Sequence, residues 1–452
     1  MTEPIISVSG LRGIVGESLT PDVAARYVTA FAATLPPGPI IVSRDGRANG
    51  PMLAGAVVSA LRVASRDVLD ADIAATPTLG VLVRVHRAAG GVQISASHNP
   101  PEYNGIKLFS GEGRVISAEP GRQVLIAYRA GLRSTGQSSW VRNDRFGKVE
   151  RLADTTSDHL KALLATVSTE EIRGKKLRVL LDSNRGAGSL LGAKLLEALG
   201  CDVVLVGGEA DGQFEHPPEP TAENLQTVTR KVISARADIG FCQDPDADRL
   251  AIIDETGRYI GEEYTLATCV DHVLQQRKGP VVTNCATSRM TQDLAEKYGV
   301  PFFRSAVGEA NVVDEMLSRD AVFGGEGNGG PIDPRVGLVR DSFVGMALVL
   351  DAMTSRGKKI SELTAELPRY EIRKTTAKLA PEQLPAALAA LQQRFSEARA
   401  DRLDGLRLDW PDRWLIVRGS NTEPIVRAIA EAPTAAAAEE LCRAAAEIIA
   451  SV

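Results

Sequence analysis

Cysteine is scarce in this chain. The five present (Cys201, Cys242, Cys269, Cys285, Cys442) are odd in number and scattered, with no Cys-x-x-Cys spacing. That excludes a disulfide framework and a thiolate zinc site, and it points to a reducing, cytoplasmic setting. No apolar run approaches the roughly 18 residues a membrane span requires. Met1-Thr2-Glu3-Pro4 lacks a basic region leading an apolar stretch, so no signal peptide is expected. Neither charge sign dominates. A net charge of −5 offers no general attraction to nucleic acid or to a membrane surface, so neither is an expected partner. An anionic substrate would have to be met by local cations. His86, His159, His216 and His272 stand apart without ligand spacing and read as structural or exposed.

What is present is ordinary globular material in quantity. At 452 residues the chain exceeds one hydrophobic core. Its apolar segments recur in a rhythm of short strands and longer helices, which predicts an α/β fold with mostly parallel pairing. Four domains are expected, over residues 1–150, 151–254, 255–366 and 367–452. In the first, Thr20 caps a helix with Pro21 at its first position. Strands are expected at 39–43, near 67–74 and at 91–94, with helices around 51–64 and 77–88. The second has strands at 177–182, 203–206, 238–242 and 250–253, with helices ending near 199 and 236. The third repeats strand 280–283, helix 288–298, strand 301–304, helix 309–318 and strand 321–323. The last differs, with a long helix at 381–398, strands at 405–409 and 413–418, and an Ala-rich helix at 434–450. It reads as a smaller α+β domain.

In each α/β unit a strand runs into a loop of polar residues. The first is Ile94-Ser95-Ala96-Ser97-His98-Asn99-Pro100-Pro101, followed by Lys107. The two prolines stiffen the backbone. A hydroxyl beside an imidazole and a cation suits a serine nucleophile acting on an anionic group, although for Ser97-His98 taken alone a polar turn is the readier explanation. The second, Asp244-Pro245-Asp246-Ala247-Asp248-Arg249, alternates three carboxylates, which on an extended segment share one face. They repel one another unless a cation is present. Arg249 falls where an EF-hand needs glycine, so that loop is excluded and magnesium is favoured, completed by phosphate oxygens that Arg249 can also hold. The third, Gly324 to Gly330, is not a P-loop, because no Gly-Lys-Ser/Thr follows. Glu326 and Asn328 within it offer the acceptors and donors that sugar hydroxyls need. In the last domain Arg418-Gly419-Ser420-Asn421-Thr422-Glu423-Pro424-Ile425-Val426-Arg427 presents two guanidiniums and small polar side chains, a match for phosphate.

Four loops in this order resemble the α-D-phosphohexomutase family over nearly the whole chain. The resemblance implies three similar α/β domains with mixed sheets and a smaller C-terminal α+β domain around a central cleft. It implies Ser97 as the phosphorylated serine, with Ser97, Asp244, Asp246 and Asp248 holding one Mg2+. Glu326 and Asn328 match the sugar loop; Arg418, Ser420, Asn421, Thr422 and Arg427 match the phosphate loop. The early Ser9-Gly10-Leu11-Arg12-Gly13 matches a segment whose arginine reaches the active site. Arg12 and Lys107 are then candidates for proton transfer, with His98 assisting. The implied reaction interconverts hexose 6-phosphate and hexose 1-phosphate through a bisphosphorylated sugar, with a hexose 1,6-bisphosphate as activator, in a monomer or homodimer. Many members close the sugar loop as Gly-Glu-x-Ser-Gly-His, whereas here Asn328 and Gly330 stand in place of the serine and histidine. The Gly-Glu-Gly-Asn-Gly-Gly form resembles archaeal-type phosphoglucosamine mutases, a subgroup that includes phosphomannomutases and phosphoglucomutases. Glucosamine is the first expectation for the sugar. A phosphatase working through the same serine, or a non-catalytic sugar-phosphate binder, is the alternative.

Overall fold

A computed structural model describes residues 3–7, 9–133, 141–419 and 425–451. The chain divides into two compact units, one of Met1–His272 with Asn328–Thr364, the other of Val273–Gly327 with Ala365–Val452.

The first unit opens with a seven-stranded sheet built from Ile5–Ser7 (β1), Gly10–Ile14 (β2), Ile40–Arg44 (β3), Val68–Ile73 (β4), Gly90–Ile94 (β5), Tyr103–Ser110 (β6) and Val149–Arg151 (β7). Their order is β1-β2-β6-β5-β3-β4-β7. β5, β3, β4 and β7 run parallel, while β6, β2 and β1 are antiparallel. The expected parallel alternation therefore describes one half of the sheet only. β3 and β5 are buried along almost their whole length, which is why they read as apolar runs rather than alternating ones. The helix Pro21–Thr34 starts as anticipated, with the Thr20 side chain accepting from the Val23 N–H, and it buries Tyr27, Val28 and Phe31 against the sheet's core.

β6 fixes the geometry that matters. It lies between β2 and β5, so that Lys107 is registered with both Gly10 and Gln93, and Gly105 with Arg12. Residues 105 and 107 share a parity, so Arg12 and Lys107 project from one face of the sheet. Gly105 is obligatory here: a Cβ would lie 2.6 Å from the Ser95 carbonyl oxygen and 2.7 Å from that of Leu11.

A second sheet in the same unit has the order β11-β10-β8-β9, from Arg178–Asp182 (β8), Asp202–Val206 (β9), Ile239–Gln243 (β10) and Leu250–Asp254 (β11). β9, β8 and β10 are parallel, and β11 returns antiparallel to β10. The return is the Asp244–Arg249 turn. The helix Ser342–Arg356, buried on nearly every side, packs in this unit and is capped by Asp341, whose side chain accepts from the Phe343 and Val344 N–H groups.

In the second unit, strands Val281–Asn284, Phe302–Ser305 and Phe323–Glu326 pair in parallel. A five-stranded antiparallel sheet follows, with Glu371–Lys378 and Ile425–Ala432 at one side and Trp414–Gly419, Leu406–Asp409 and Arg399–Asp401 beyond. Its core is Leu391, Leu408, Leu415, Ala428 and Ala445 with their neighbours. The expected helix at 381–398 is shorter, Leu384–Arg394, preceded by a single 3₁₀ turn. Pro385 cannot sit beyond a first helical turn, and that sets the start.

Candidate active site

β5 delivers the chain into Ser95, Ala96 and Ser97. Ser97 is fully buried and has a left-handed φ of 51°, a conformation that costs a non-glycine residue on the order of 1–3 kcal/mol and persists only where its surroundings impose it. Ser95 Oγ accepts from the Ser97 N–H at 2.9 Å and donates to Asp45 Oδ2 at 2.7 Å. Arg47 then ties down the loop: its Nη2 donates to the carbonyls of Ser97 and Asn99, both at 2.6 Å, and its Nη1 to those of Pro100 and Tyr103 at 2.7 and 3.1 Å. The stiffness read from the two prolines has this guanidinium behind it.

Ser97 Oγ donates to Asp244 Oδ2 at 2.6 Å and lies 3.3 Å from His98 Nδ1. Asp244, Asp246 and Asp248 are fully buried, with potential ligand atoms within 4.8 Å of one another. They converge differently from the extended alternation expected. The segment is a turn, closed by the Ala247 N–H on the Asp244 carbonyl, with Ala247 at a left-handed φ of 58°. Lys107 Nζ reaches Asp246 Oδ2 at 2.6 Å and Asp248 Oδ2 at 2.8 Å. Thr76 Oγ1 donates to Asp246 Oδ2, and Arg340 Nη2 to Asp248 Oδ2, each at 2.6 Å. The Arg249 N–H donates to Asp244 Oδ1 at 3.2 Å, and Arg12 Nη1 to Asn99 Oδ1 at 3.1 Å.

Electrostatics separates the three carboxyls. Burial raises all three; neighbouring aspartate charge raises Asp244 and Asp248 further, whereas a hydrogen bond with Asp244 lowers Asp246. Asp246 ends below the ordinary range because Lys107 and the Thr76 hydroxyl outweigh burial. Asp248 is also lowered, with Arg340 the leading stabilising charge against burial. Asp244 is pushed well above the ordinary range by burial and by its two neighbours. His98 is held neutral, its pKa driven down to about 2 by burial and by the Arg249 and Arg12 charges. Asp246 Oδ1 and Asp248 Oδ1 are buried without a hydrogen-bond partner. Asp248 Oδ1 has only the Arg249 guanidinium nearby, at 3.8 Å. Three convergent carboxylates, two oxygens without hydrogen bonds and one carboxyl driven toward protonation fit a hard divalent cation.

The other expected residues sit on other elements. Glu326 ends the strand Phe323–Glu326, further along than the strand expected at 321–323, and its Oε1 accepts from Asn284 Nδ2 at 2.7 Å and from the Gly308 N–H at 3.2 Å. Asn328 falls in the first unit, Glu326 in the second. Arg418 and Arg427 are directly opposed on adjacent antiparallel strands, and Arg418 Nε lies 3.0 Å from Asp404 Oδ2. Like charges so opposed are unfavourable, and the Asp404 carboxylate offsets them in part. Ser420, Asn421 and Thr422 lie outside the described residues. His159, His216 and His272 are structural, each paired with a carboxylate (Asp341, Asp182 and Asp351), and His86 is exposed. Reading the sequence missed Arg47, Thr76 and Arg340. Asp341-Ser342 ahead of an apolar run was the available signal for the last, as a helix start.

Four family models cover most of the chain. They are the phosphoglucomutase/phosphomannomutase α/β/α domains I, II and III over residues 5–130, 157–257 and 262–370, and the C-terminal domain over 371–448. This chain belongs to the phosphoglucomutase/phosphomannomutase family and is a phosphohexomutase, an enzyme that transfers phosphate intramolecularly. It is 34% identical over 437 residues to a Methanopyrus kandleri protein named Probable phosphoglucosamine mutase, covering 96% of this chain and 95% of that one. It is 36% identical over 440 residues to the Thermococcus kodakarensis Phosphoglucomutase/phosphomannomutase, covering 95% of each. Among solved structures, a phosphoglucomutase/phosphomannomutase family protein from Burkholderia thailandensis superposes with a TM-score of 0.83 at 26% identity, over 98% of this chain and 97% of that one. Among the described residues no helix is long and apolar enough to cross a membrane.

Proposed function

We propose that this chain interconverts hexose 6-phosphate and hexose 1-phosphate with Ser97 as phosphoryl carrier, and that glucosamine phosphate is its preferred substrate. Phosphorylated Ser97 gives its phosphoryl group to the free hydroxyl of the bound monophosphate, which becomes a bisphosphate. The bisphosphate then returns its other phosphoryl group to Ser97 Oγ and leaves as the isomer. Each transfer moves one hydroxyl proton, and Lys107, Arg12 and neutral His98 are the groups near Ser97 equipped to handle it. Asp244, Asp246 and Asp248, with the Ser97 phosphate, would hold Mg2+, which when bound offsets the charge of the transferring phosphoryl group. Arg249, with Glu326 and Asn328, is assigned to sugar and phosphate contacts. The Arg418–Arg427 segment, with Ser420, Asn421 and Thr422, is assigned to the phosphate that is not reacting. A hexose 1,6-bisphosphate primes the serine.

The observation that carries this reading is the buried Ser97 hydroxyl, 2.6 Å from Asp244 within a carboxylate triad. The names of the relatives support glucosamine first and mannose or glucose next. A substrate panel of glucosamine, mannose and glucose phosphates with magnesium and the matching bisphosphate should give turnover, fastest with glucosamine. Intact mass should rise by one phosphoryl group after bisphosphate treatment, and not at all in Ser97→Ala. Rapid release of inorganic phosphate without isomerisation would overturn the mutase reading.

A further inference from the structure

Position 330 has no side chain, and the space beside it is full. A Cβ built there would lie 2.5 Å from Arg340 Cδ, 2.9 Å from Cγ and 3.0 Å from Cβ. The clash runs along the arginine's stem and not at its mobile tip, so its two closest contacts, with Cδ and Cγ, could be relieved only by swinging the side chain away. The backbone at 340 cannot move to accommodate it. Asp341 N–H donates to the Pro331 carbonyl at 2.9 Å, and the Asp341 carboxylate is held by two helix N–H groups and by His159 Nε2 at 2.8 Å. Arg340, only 7% exposed, ends on Asp248 Oδ2, the same oxygen that Lys107 takes, while Asp248 Oδ1 has no hydrogen bond.

We propose that Gly330 and Arg340 form a positioning pair for the aspartate loop, in which the glycine makes room for the arginine stem and the arginine fixes the Asp248 carboxylate so that Oδ1 stays available to a divalent cation. Arg340 acts through Asp248 and is not a ligand itself. The inference rests on reading the three aspartates as a metal site. It makes a prediction whose sign is opposite to that of a simple counter-charge. If Arg340 merely repelled the cation, its removal would tighten metal binding; as a positioning residue, its removal loosens binding.

The test uses Mn2+ as probe on the purified full-length chain, with free ion followed by its EPR signal, and a thermal melt of every variant. Arg340→Gln should weaken Mn2+ binding by about tenfold, a typical effect of losing a group that orients a ligand. Gly330→Ala, which adds one methyl group and removes no charge, should weaken it by a similar factor. It keeps the idea testable if Arg340→Gln does not fold. The double variant should be no weaker than Arg340→Gln alone, because the methyl acts only by displacing the arginine. In mutase assays the Mg2+ concentration for half activation should rise in both single variants while KM for the hexose phosphate holds. Unchanged or tighter Mn2+ binding in Arg340→Gln, or losses that add in the double variant, overturns the pair alone. A wild-type chain that takes up no Mn2+ overturns the metal reading and the pair with it.

Discussion

Arg47 supports the candidate site through the backbone of the Ser97 loop and not through the Ser97 hydroxyl. It is 1% exposed, its Nε bonds Asp45 Oδ2 at 3.1 Å, and its remaining donors reach four carbonyls of the Ser97 loop. Arg47→Met leaves Asp45 buried without its cation, a loss of about 3–5 kcal/mol in urea unfolding. Arg47→Lys keeps the charge but not the planar fork, so Ser97 is no longer held in its left-handed turn. It should fold and yet phosphorylate Ser97 about a hundredfold more slowly. Wild-type rates in that variant would mean the prolines alone stiffen the loop. His98 makes a second residue-scale prediction. Its folded pKa of about 2 lies below the unfolded value near 6.5, so as pH falls below about 6.5 the unfolded chain takes up a proton that the folded one refuses. That stability is complete above this range and is lost below it, amounting to about 2 kcal/mol by pH 5. Unfolding of wild type and His98→Asn in EDTA at pH 7 and pH 5 should show the larger drop in wild type; equal drops would mean His98 titrates normally in the fold.

At the scale of elements, what could be read from the sequence was set by how each segment is buried. β3, β5, β8 and β10 lie in sheet interiors, and their apolar runs betrayed them to within a residue or so. The helix Ser342–Arg356 has no polar stripe, because it is covered on nearly every side, and so gave no 3.6-residue signal. With it went Arg340 and Asp341. The strand Glu371–Lys378 shows the opposite difficulty: it lies at a sheet edge, half exposed and rich in Arg, Lys and Thr. β6 was hidden because its polar residues read as part of the serine loop, yet it is this strand that carries Lys107 back to the aspartates. The chemistry-bearing loops were legible because their residues are costly to keep without a use, whereas the supporting cations only acquire meaning from tertiary contacts. Asp341 shows how strongly an element can depend on one such residue. It caps the Ser342–Arg356 helix and receives buried His159, whose other nitrogen lies 3.0 Å from Thr78 Oγ1. Asp341→Ala forfeits about 1 kcal/mol for the cap and a further 1–3 for the stranded imidazole. Chemical denaturation should find a loss of about 2–4 kcal/mol in total, and a loss under 1 would mean that the cap and the histidine are dispensable.

Across the whole molecule, the fold holds together a cluster that repels itself. Lys107 and Arg340 answer two of the three aspartates, and Asp244 is left without such a partner, its pKa held well above the ordinary carboxyl range by burial first and by its two neighbours next. The sign of the linkage follows. Without metal the folded chain keeps a proton on Asp244 that the unfolded chain releases above about pH 4, so this group makes the metal-free protein less stable as pH rises. A divalent cation held there would remove that penalty and, by binding only the folded state, would add about 2.7 kcal/mol at a hundred times its dissociation constant. Asp244→Asn removes the repulsion but also a ligand. In EDTA at pH 7 the variant should therefore be at least as stable as the wild type, while its stability should no longer respond to Mg2+. Stability would then have been traded for the capacity to bind, as happens where function requires like charges to be buried together. Melting curves of both proteins with EDTA and with saturating Mg2+ decide the point: a variant that is less stable in EDTA, or that gains as much from Mg2+ as the wild type, would show that Asp244 is neither the strained member of the cluster nor part of its metal site.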